Sequence, residues 1–287
     1  MVTSYPSFLF CLVAVYNRVE TTRVFLAQLL GQKNVSIKVI VVDDGSTDGT
    51  AAMLENFAGL DLQIIRGSGN LWWGGAMRLG MEEAFAQMGE TNALIMLNDD
   101  IRIDEHFLSR FCERARELGP RVVIGCQQRD VANEEYASLG YKLNYPTCRM
   151  DEVTKPVAGS EIIEVDALCG RGMLVSREVV AAVGFVDAKR FPHYLGDIEY
   201  SARIKDYGFR VVCDQSIIVS TLLSAADEQR LAKKPWRRFL SATGSKNILQ
   251  HYRFWASRGP KFLARTAVFR FPFVKLSRAL RQAAYRH

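Results

Sequence analysis

Residues Ala93 to Ile101 read ALIMLNDDI, an apolar run that stops abruptly in two adjacent acids. Such a run is the mark of a central strand covered on both faces, as in a parallel sheet. Asp99 and Asp100 at its far end repel one another, which raises one pKa unless a cation or a hydrogen-bond donor compensates. A divalent ion holding a diphosphate is one such compensator, since Mg2+ or Mn2+ takes one or two carboxylates and completes its shell with substrate phosphates. A solvated turn leading into the helix after Asp104 fits the same letters.

The pattern occurs once upstream, where the β-branched run Ile37 to Val42 ends in Asp43-Asp44-Gly45-Ser46-Thr47-Asp48-Gly49-Thr50. The glycines permit a tight turn, and Thr47 or Asp48 suits the cap of a helix carrying Ala52, Met53 and Phe57. In an open α/β sheet the ligand lies outside the carboxyl ends of the strands. A carboxylate there can accept a hydrogen bond from the imide of a pyrimidine base or from ribose hydroxyls. Further apolar runs predict strands near 8–15, 62–65, 121–126, 162–166, 172–175 and 209–213, with helices between most of them. Alternation of this kind argues a mainly parallel sheet. The stretch 127–160 has no clear period and reads as an irregular excursion or short hairpin.

The segment GSGNLWWGG, residues 67–75, starts like a dinucleotide fingerprint but lacks the third glycine at the required spacing. Trp72 and Trp73 suit either a wall for a sugar's apolar face or a pair of core anchors. Arg78 follows in a helix, where it can counter diphosphate charge. His193, just before Tyr194, is either a substrate contact or structural.

In order along the chain, FLFCLVAVYNR (8–18), VVDDGSTDGT (41–50), GNLWWGGAMRLG (69–80), LNDD (97–100), LCGRGMLVSREVVAAVGFVD (168–187) and HYLGDIEYSARIKDYGFRV (193–211) resemble successive segments of the family 2 glycosyltransferases, bacterial rhamnosyltransferases among them. The resemblance implies an α/β fold of the GT-A type, a Rossmann-like nucleotide-diphospho-sugar transferase with a mainly parallel sheet flanked by helices, over residues 1–228. It implies inverting transfer from a UDP- or dTDP-sugar, dTDP-rhamnose included, to a hydroxyl of a lipid-linked or cell-surface glycan such as O-antigen or capsule. Asp197 falls on the general base, although it also suits a helix cap. Val15, Asn17, Arg18, Asp43, Asp44, Asn70, Trp73, Gly74, Arg78, Asn98 and Asp99 fall on the donor side. Asp100 falls on the metal ligand, for Mg2+ or Mn2+. Gly170, Arg171, His193 and Glu199 fall on the acceptor side, with Glu199 the second candidate acid and Arg203 expected to pair with Asp197 or Glu199.

Three departures bear on the metal and the base. Asn98 stands where the family's metal motif begins with an acid, Gly196-Asp197 replaces a Glu-Asp pair, and Ser216 to Ser220 lack the histidine found after the last strand in many relatives. A sugar nucleotidyltransferase, or a degenerate family member acting as a scaffold, are the competing readings.

The 287 residues carry 48% hydrophobic and 24% charged side chains, enough for one large α/β domain with an appendage. Six cysteines without a CxxC pair read as buried thiols of a reducing cytoplasm. Phe8 to Val15 lacks a basic flank and reads as a first strand, not a signal peptide. No run reaches the ~20 apolar residues of a membrane span. Charge is uneven: residues 229–287 hold 15 Lys and Arg with no acid, against 22 basic and 31 acidic residues before them. Ten aromatics share this tail, among them Trp236, Phe254, Trp255, Phe262 and Phe273. A basic amphipathic helical region of this kind suits an anionic membrane surface, which places the enzyme peripherally on the cytoplasmic face. A helical bundle on the acidic body, using Phe273, Leu276 and Leu280, is the structural alternative. Nucleic acid is not expected as a partner, because no recognisable module surrounds the basic patch.

Overall fold

The computed structural model describes residues 5–131, 137–221 and 247–258. The first half runs β1 (Phe8–Val15), α1 (Val19–Leu30), β2 (Ile37–Asp43), α2 (Thr50–Glu55), β3 (Leu62–Arg66), α3 (Trp72–Gln87), β4 (Asn92–Asn98), β5 (Ile101–Arg102) and α4 (Phe107–Leu118). The second half runs β6 (Val122–Asp130), β7 (Ala137–Ser138), β8 (Tyr141–Asn144), β9 (Arg149–Glu152), β10 (Ile162–Glu164), β11 (Met173–Ser176), α5 (Arg177–Val183), α6 (Gly196–Asp206), β12 (Arg210–Thr221) and α7 (Ile248–Ala256).

The main sheet has the order β10-β12-β6-β11-β4-β1-β2-β3, with β5 on β12 and β7 on β6. The long pairings, β1 with β2 and β4, β2 with β3, and β6 with β12, are parallel. β11 runs antiparallel between β4 and β6, so the sheet is mixed but mostly parallel. The excursion after β6 contains the hairpin β8–β9.

Side chains alternate across β1 as a strand requires. Leu9, Cys11 and Val13 face α1 and α4 through Phe25, Leu29, Phe107 and Phe111. Phe10 and Leu12 face the other layer, where Met77 and Met81 of α3 meet Val179 of α5 and Tyr200 of α6. The result is a sheet sandwiched between helices. All six cysteines are free, and five are buried.

One expectation about the tail is corrected. Phe254 and Trp255 of α7, counted among aromatics for a membrane interface, are 0% and 4% exposed. They join Phe191, Ile198 and Ala202 in a third apolar cluster, and Arg258 donates to Asp206 at 2.8 Å and to Glu199 Oε1 at 3.1 Å. This part of the tail packs on the body because its aromatic face finds an apolar partner and its base finds two acids. Phe273, Leu276 and Leu280, with residues 229–246 and 259–287 generally, lie outside the described residues. No described helix is long and apolar enough to cross a membrane.

Candidate active site

Register brings the strand ends together: Val15 pairs with Asp43, and Ala14 with Asn98. Asp43 is 1% exposed, takes the Arg66 guanidinium at 2.7 Å and accepts the Ser46 N–H at 2.9 Å. Asn17 Oδ1 accepts the Thr47 N–H at 2.7 Å, and Asp48 accepts the Val19 N–H at 3.0 Å. The turns after β1 and β2 are thus stitched to each other. The cap position expected of Thr47 or Asp48 is instead Gly49, which has no side chain to offer the helix; Asp48, one residue earlier, accepts the Thr50 N–H at 3.0 Å within the turn.

Asp44 holds the turn before α3. Its Oδ1 accepts the N–H groups of Gly69 and Leu71, and its Oδ2 that of Trp72, at 2.8, 3.1 and 2.9 Å. Gly67 is required there, since a Cβ would lie 2.7 Å from Asp44 Oδ1. Asn70 is exposed at the tip of this turn.

Asp99, 2% exposed, accepts from Thr22 Oγ1 at 2.8 Å and from Arg18 Nη1 at 3.2 Å. Burial pushes its carboxyl above the ordinary aspartate value, with Arg18 and Thr22 opposing and Asp100 adding to the rise. Arg18 Nη1 also reaches Asp100 Oδ2 at 3.3 Å, and Arg171 Nε lies 3.6 Å from Asp100 Oδ1. Asn98 Oδ1 is occupied by Trp73 Nε1 at 3.1 Å.

Asp100 Oδ1 is the oxygen of the LNDD segment that makes no hydrogen bond: it is buried, with Arg171 Nε facing it at 3.6 Å. Among the described residues no three His, Cys, Asp or Glu side chains gather into a cage. This donor set fits a hard divalent ion held by one carboxylate and completed by substrate phosphates.

Asp197 lies in the first turn of α6. Its Oδ2 accepts the Gly170 N–H and its Oδ1 the Ile198 N–H, both at 2.8 Å. Between Asp197 and the LNDD segment stands Trp73, whose ring fills the space a Cβ on Gly170 would need and would lie 3.3 Å from one on Gly196. Gly74 is equally constrained, because a Cβ would meet the Phe191 carbonyl at 2.4 Å, while its N–H donates to the Pro192 carbonyl at 2.7 Å. Adjacent Cys169 is pushed up to about 11, chiefly by burial, and stays a neutral thiol.

Two candidates are engaged elsewhere. Glu199 is 3% exposed and pairs with Arg203 and Arg258, both at 3.1 Å. Arg203 pairs with Glu199, not Asp197. Arg78 pairs with Glu82 at 2.8 Å and covers the Phe185 ring. Thr22 and Arg66, which orient Asp99 and Asp43, were not anticipated; Thr22 carried only a helix-start signal, and Arg66 only its place at the end of a strand.

The profile of the family described as Glycosyl transferase family 2 matches residues 11–180. The chain is 29% identical over 144 residues to the succinoglycan biosynthesis protein ExoO of Rhizobium meliloti (strain 1021), an alignment covering 50% of this chain and 39% of that protein. It therefore spans about two-fifths of the length of that relative. Its fold resembles the mannosyltransferase PcManGT from Pyrobaculum calidifontis, solved with GDP-Man and Mn2+, with TM-score 0.60 and 14% identity over 93% of this chain and 70% of the other. S. aureus TarS 1–349 in complex with UDP gives TM-score 0.57 and 14% identity over 87% of this chain and 70% of the other. GalNAc-T7 with UDP, GalNAc and Mn2+ gives TM-score 0.61 and 10% identity over 90% and 55%.

Proposed function

The chain belongs to glycosyl transferase family 2, nucleotide-sugar-dependent enzymes of inverting stereochemistry, and on that premise we propose that it transfers a sugar from a UDP- or dTDP-linked donor, dTDP-rhamnose included, to a hydroxyl of a lipid-linked or cell-surface glycan. The relative named for succinoglycan biosynthesis supports a polysaccharide acceptor; the two neighbours bound to UDP fit a pyrimidine donor, while the one bound to GDP-Man takes a purine donor, so the pyrimidine reading rests on the resemblance as well.

The observation that carries this reading is the mounting of Asp197. Two backbone N–H groups fix its carboxylate at the start of α6, and each oxygen keeps a lone pair for an acceptor hydroxyl. In inverting transfer the acceptor oxygen loses its proton to Asp197 while it bonds to the anomeric carbon. The bond from that carbon to the diphosphate oxygen breaks, and the nucleoside diphosphate leaves with the electron pair. Arg18 and Arg171 lie within 4 Å of Asp100 and would donate to the departing phosphates, a donor-side role for Arg171 in place of the acceptor-side one that the resemblance implies. Asp100 would hold a divalent ion, which when bound supplies further charge neutralisation there. Asp43, Asp44 and Asn17 shape the turns against which the nucleoside rests.

Asp197→Asn tests the assignment, since it keeps an acceptor for the Gly170 N–H but removes the base. Turnover should fall by roughly 100- to 10,000-fold while nucleotide affinity stays within a few fold. Near-normal turnover removes Asp197 from the base role.

A further inference from the structure

Trp72, the first residue of α3, combines a strained backbone with an exposed ring. It is 45% exposed and has φ +57°, a left-handed backbone that a bulky residue adopts only when its surroundings over-determine it. The constraint is visible: Asp44, itself 6% exposed, accepts the N–H groups of Gly69, Leu71 and Trp72. The consequence is a division of labour between neighbouring indoles. Trp73 turns inward against Gly170 and Gly196, and Trp72 turns out into solvent.

What faces Trp72 is the loop leading into the helix of Asp197. The rings of Trp72 and His193 lie 5.6 Å apart and tilted by 58°, and Tyr194 sits edge-on to His193 at 4.5 Å. His193 Nδ1 is buried without a hydrogen-bond partner, an arrangement that costs free energy unless a ligand satisfies it. Leu195, also left-handed at φ +65°, ends this loop two residues before Asp197. Two strained backbones thus bracket an exposed indole face and an unspent imidazole nitrogen. A pyranose matches this pair: its C–H face rests on an aromatic ring while its rim hydroxyls seek hydrogen-bond partners.

We propose that Trp72 and His193 form a subsite for one pyranose ring of the acceptor glycan, with the sugar stacked on the Trp72 indole and a ring hydroxyl bonded to His193 Nδ1. The inference rests on the glycosyltransferase reading above and specifies how its acceptor is held. Burial, with Arg18 nearby, lowers the His193 pKa below the ordinary value, so at neutral pH the imidazole is uncharged and suited to a sugar hydroxyl.

Saturation-transfer NMR with methyl glycosides of rhamnose, galactose, glucose and N-acetylglucosamine, recorded with UDP present, tests this directly. At least one glycoside should show saturation concentrated on one face of its ring. Trp72→Ala should weaken its binding by about tenfold, the scale of one lost aromatic contact, while Trp72→Phe restores most of it. His193→Ala should weaken it too, and His193→Asn, which keeps a polar atom near the Nδ1 position, less so. UDP affinity, measured by calorimetry on the same variants, should change less than the glycoside affinity. No saturation of any glycoside, equal binding by Trp72→Ala, or a loss of UDP binding that matches the glycoside loss each overturns the subsite. Turnover of nucleotide sugars by the wild type is scored separately: its absence defeats the glycosyltransferase reading, while the glycoside titrations still decide the subsite.

Discussion

Asp99 illustrates how the site costs the fold stability. Its carboxyl is buried beside a second acid, and burial outweighs the help of Arg18 and Thr22, so its folded pKa lies above the unfolded value near 3.8. The sign follows from linkage: the folded form binds the proton more tightly, so stability declines as pH rises through the raised pKa. Asp99→Asn keeps an acceptor for Thr22 and removes the buried charge. It should melt above the wild type at neutral pH, and the gap should close on acidification toward the unfolded pKa. Calorimetric melts from pH 4 to 8 read this out, and a gap independent of pH would refute the charge argument. The acids themselves were legible because each closes an apolar run. Their partners were not: Thr22 meets Asp99 across 77 positions and Arg66 meets Asp43 across 23. Asp44 also holds the 69–72 turn through both of its oxygens, a role no local pattern announces.

At the level of elements, α7 supports the helix that carries Asp197. Arg258, with a side chain 8% exposed, donates to Asp206, to Glu199 Oε1 and to the Glu199 carbonyl. Arg190 on the preceding loop donates to the Arg253 carbonyl at 3.1 Å. Arg258→Ala leaves Glu199 with Arg203 alone and should cost on the order of 1–3 kcal/mol. A urea melt should show a lower midpoint with an unchanged slope. Arg258→Lys recovers only part of this, because one ammonium cannot span three acceptors as the guanidinium fork does. A midpoint equal to the wild type in Arg258→Ala would make α7 a bystander. The parallel strands were legible from their apolar runs, but such a run carries no direction, so the reversal of β11 was not. The packing of α7 was hidden for a related reason. Aromatic and basic letters describe a helix on lipid and a helix on an acidic protein face equally well, and the choice belongs to the partner.

Across the whole molecule, the charge asymmetry divides at α7. Residues 1–228 hold nine more acids than bases, and part of that excess is met by Arg258. Residues 229–246 carry six Lys and Arg and two aromatics, residues 259–287 a further seven Lys and Arg and five aromatics, with no acid in either, and these two stretches are the parts of the tail to which the anionic-membrane proposal now attaches. Two truncations separate the roles that a single deletion would confuse. Removing 259–287 keeps Phe254, Trp255 and Arg258 on the body, so the melt should stay near that of the wild type while co-sedimentation with phosphatidylglycerol vesicles is weakened by the loss of seven of the tail's basic residues. Removing 229–287 also strips the third apolar cluster of Phe254 and Trp255, so vesicle binding should be lost and the melt should fall as well. High salt should release the full-length protein in part, since attraction between exposed charges is screened beyond about 8 Å at physiological ionic strength, whereas inserted aromatics resist salt. If the full-length protein stays in the supernatant at low salt, the membrane proposal fails. If the shorter truncation unfolds the body, residues 259–287 belong to the bundle instead.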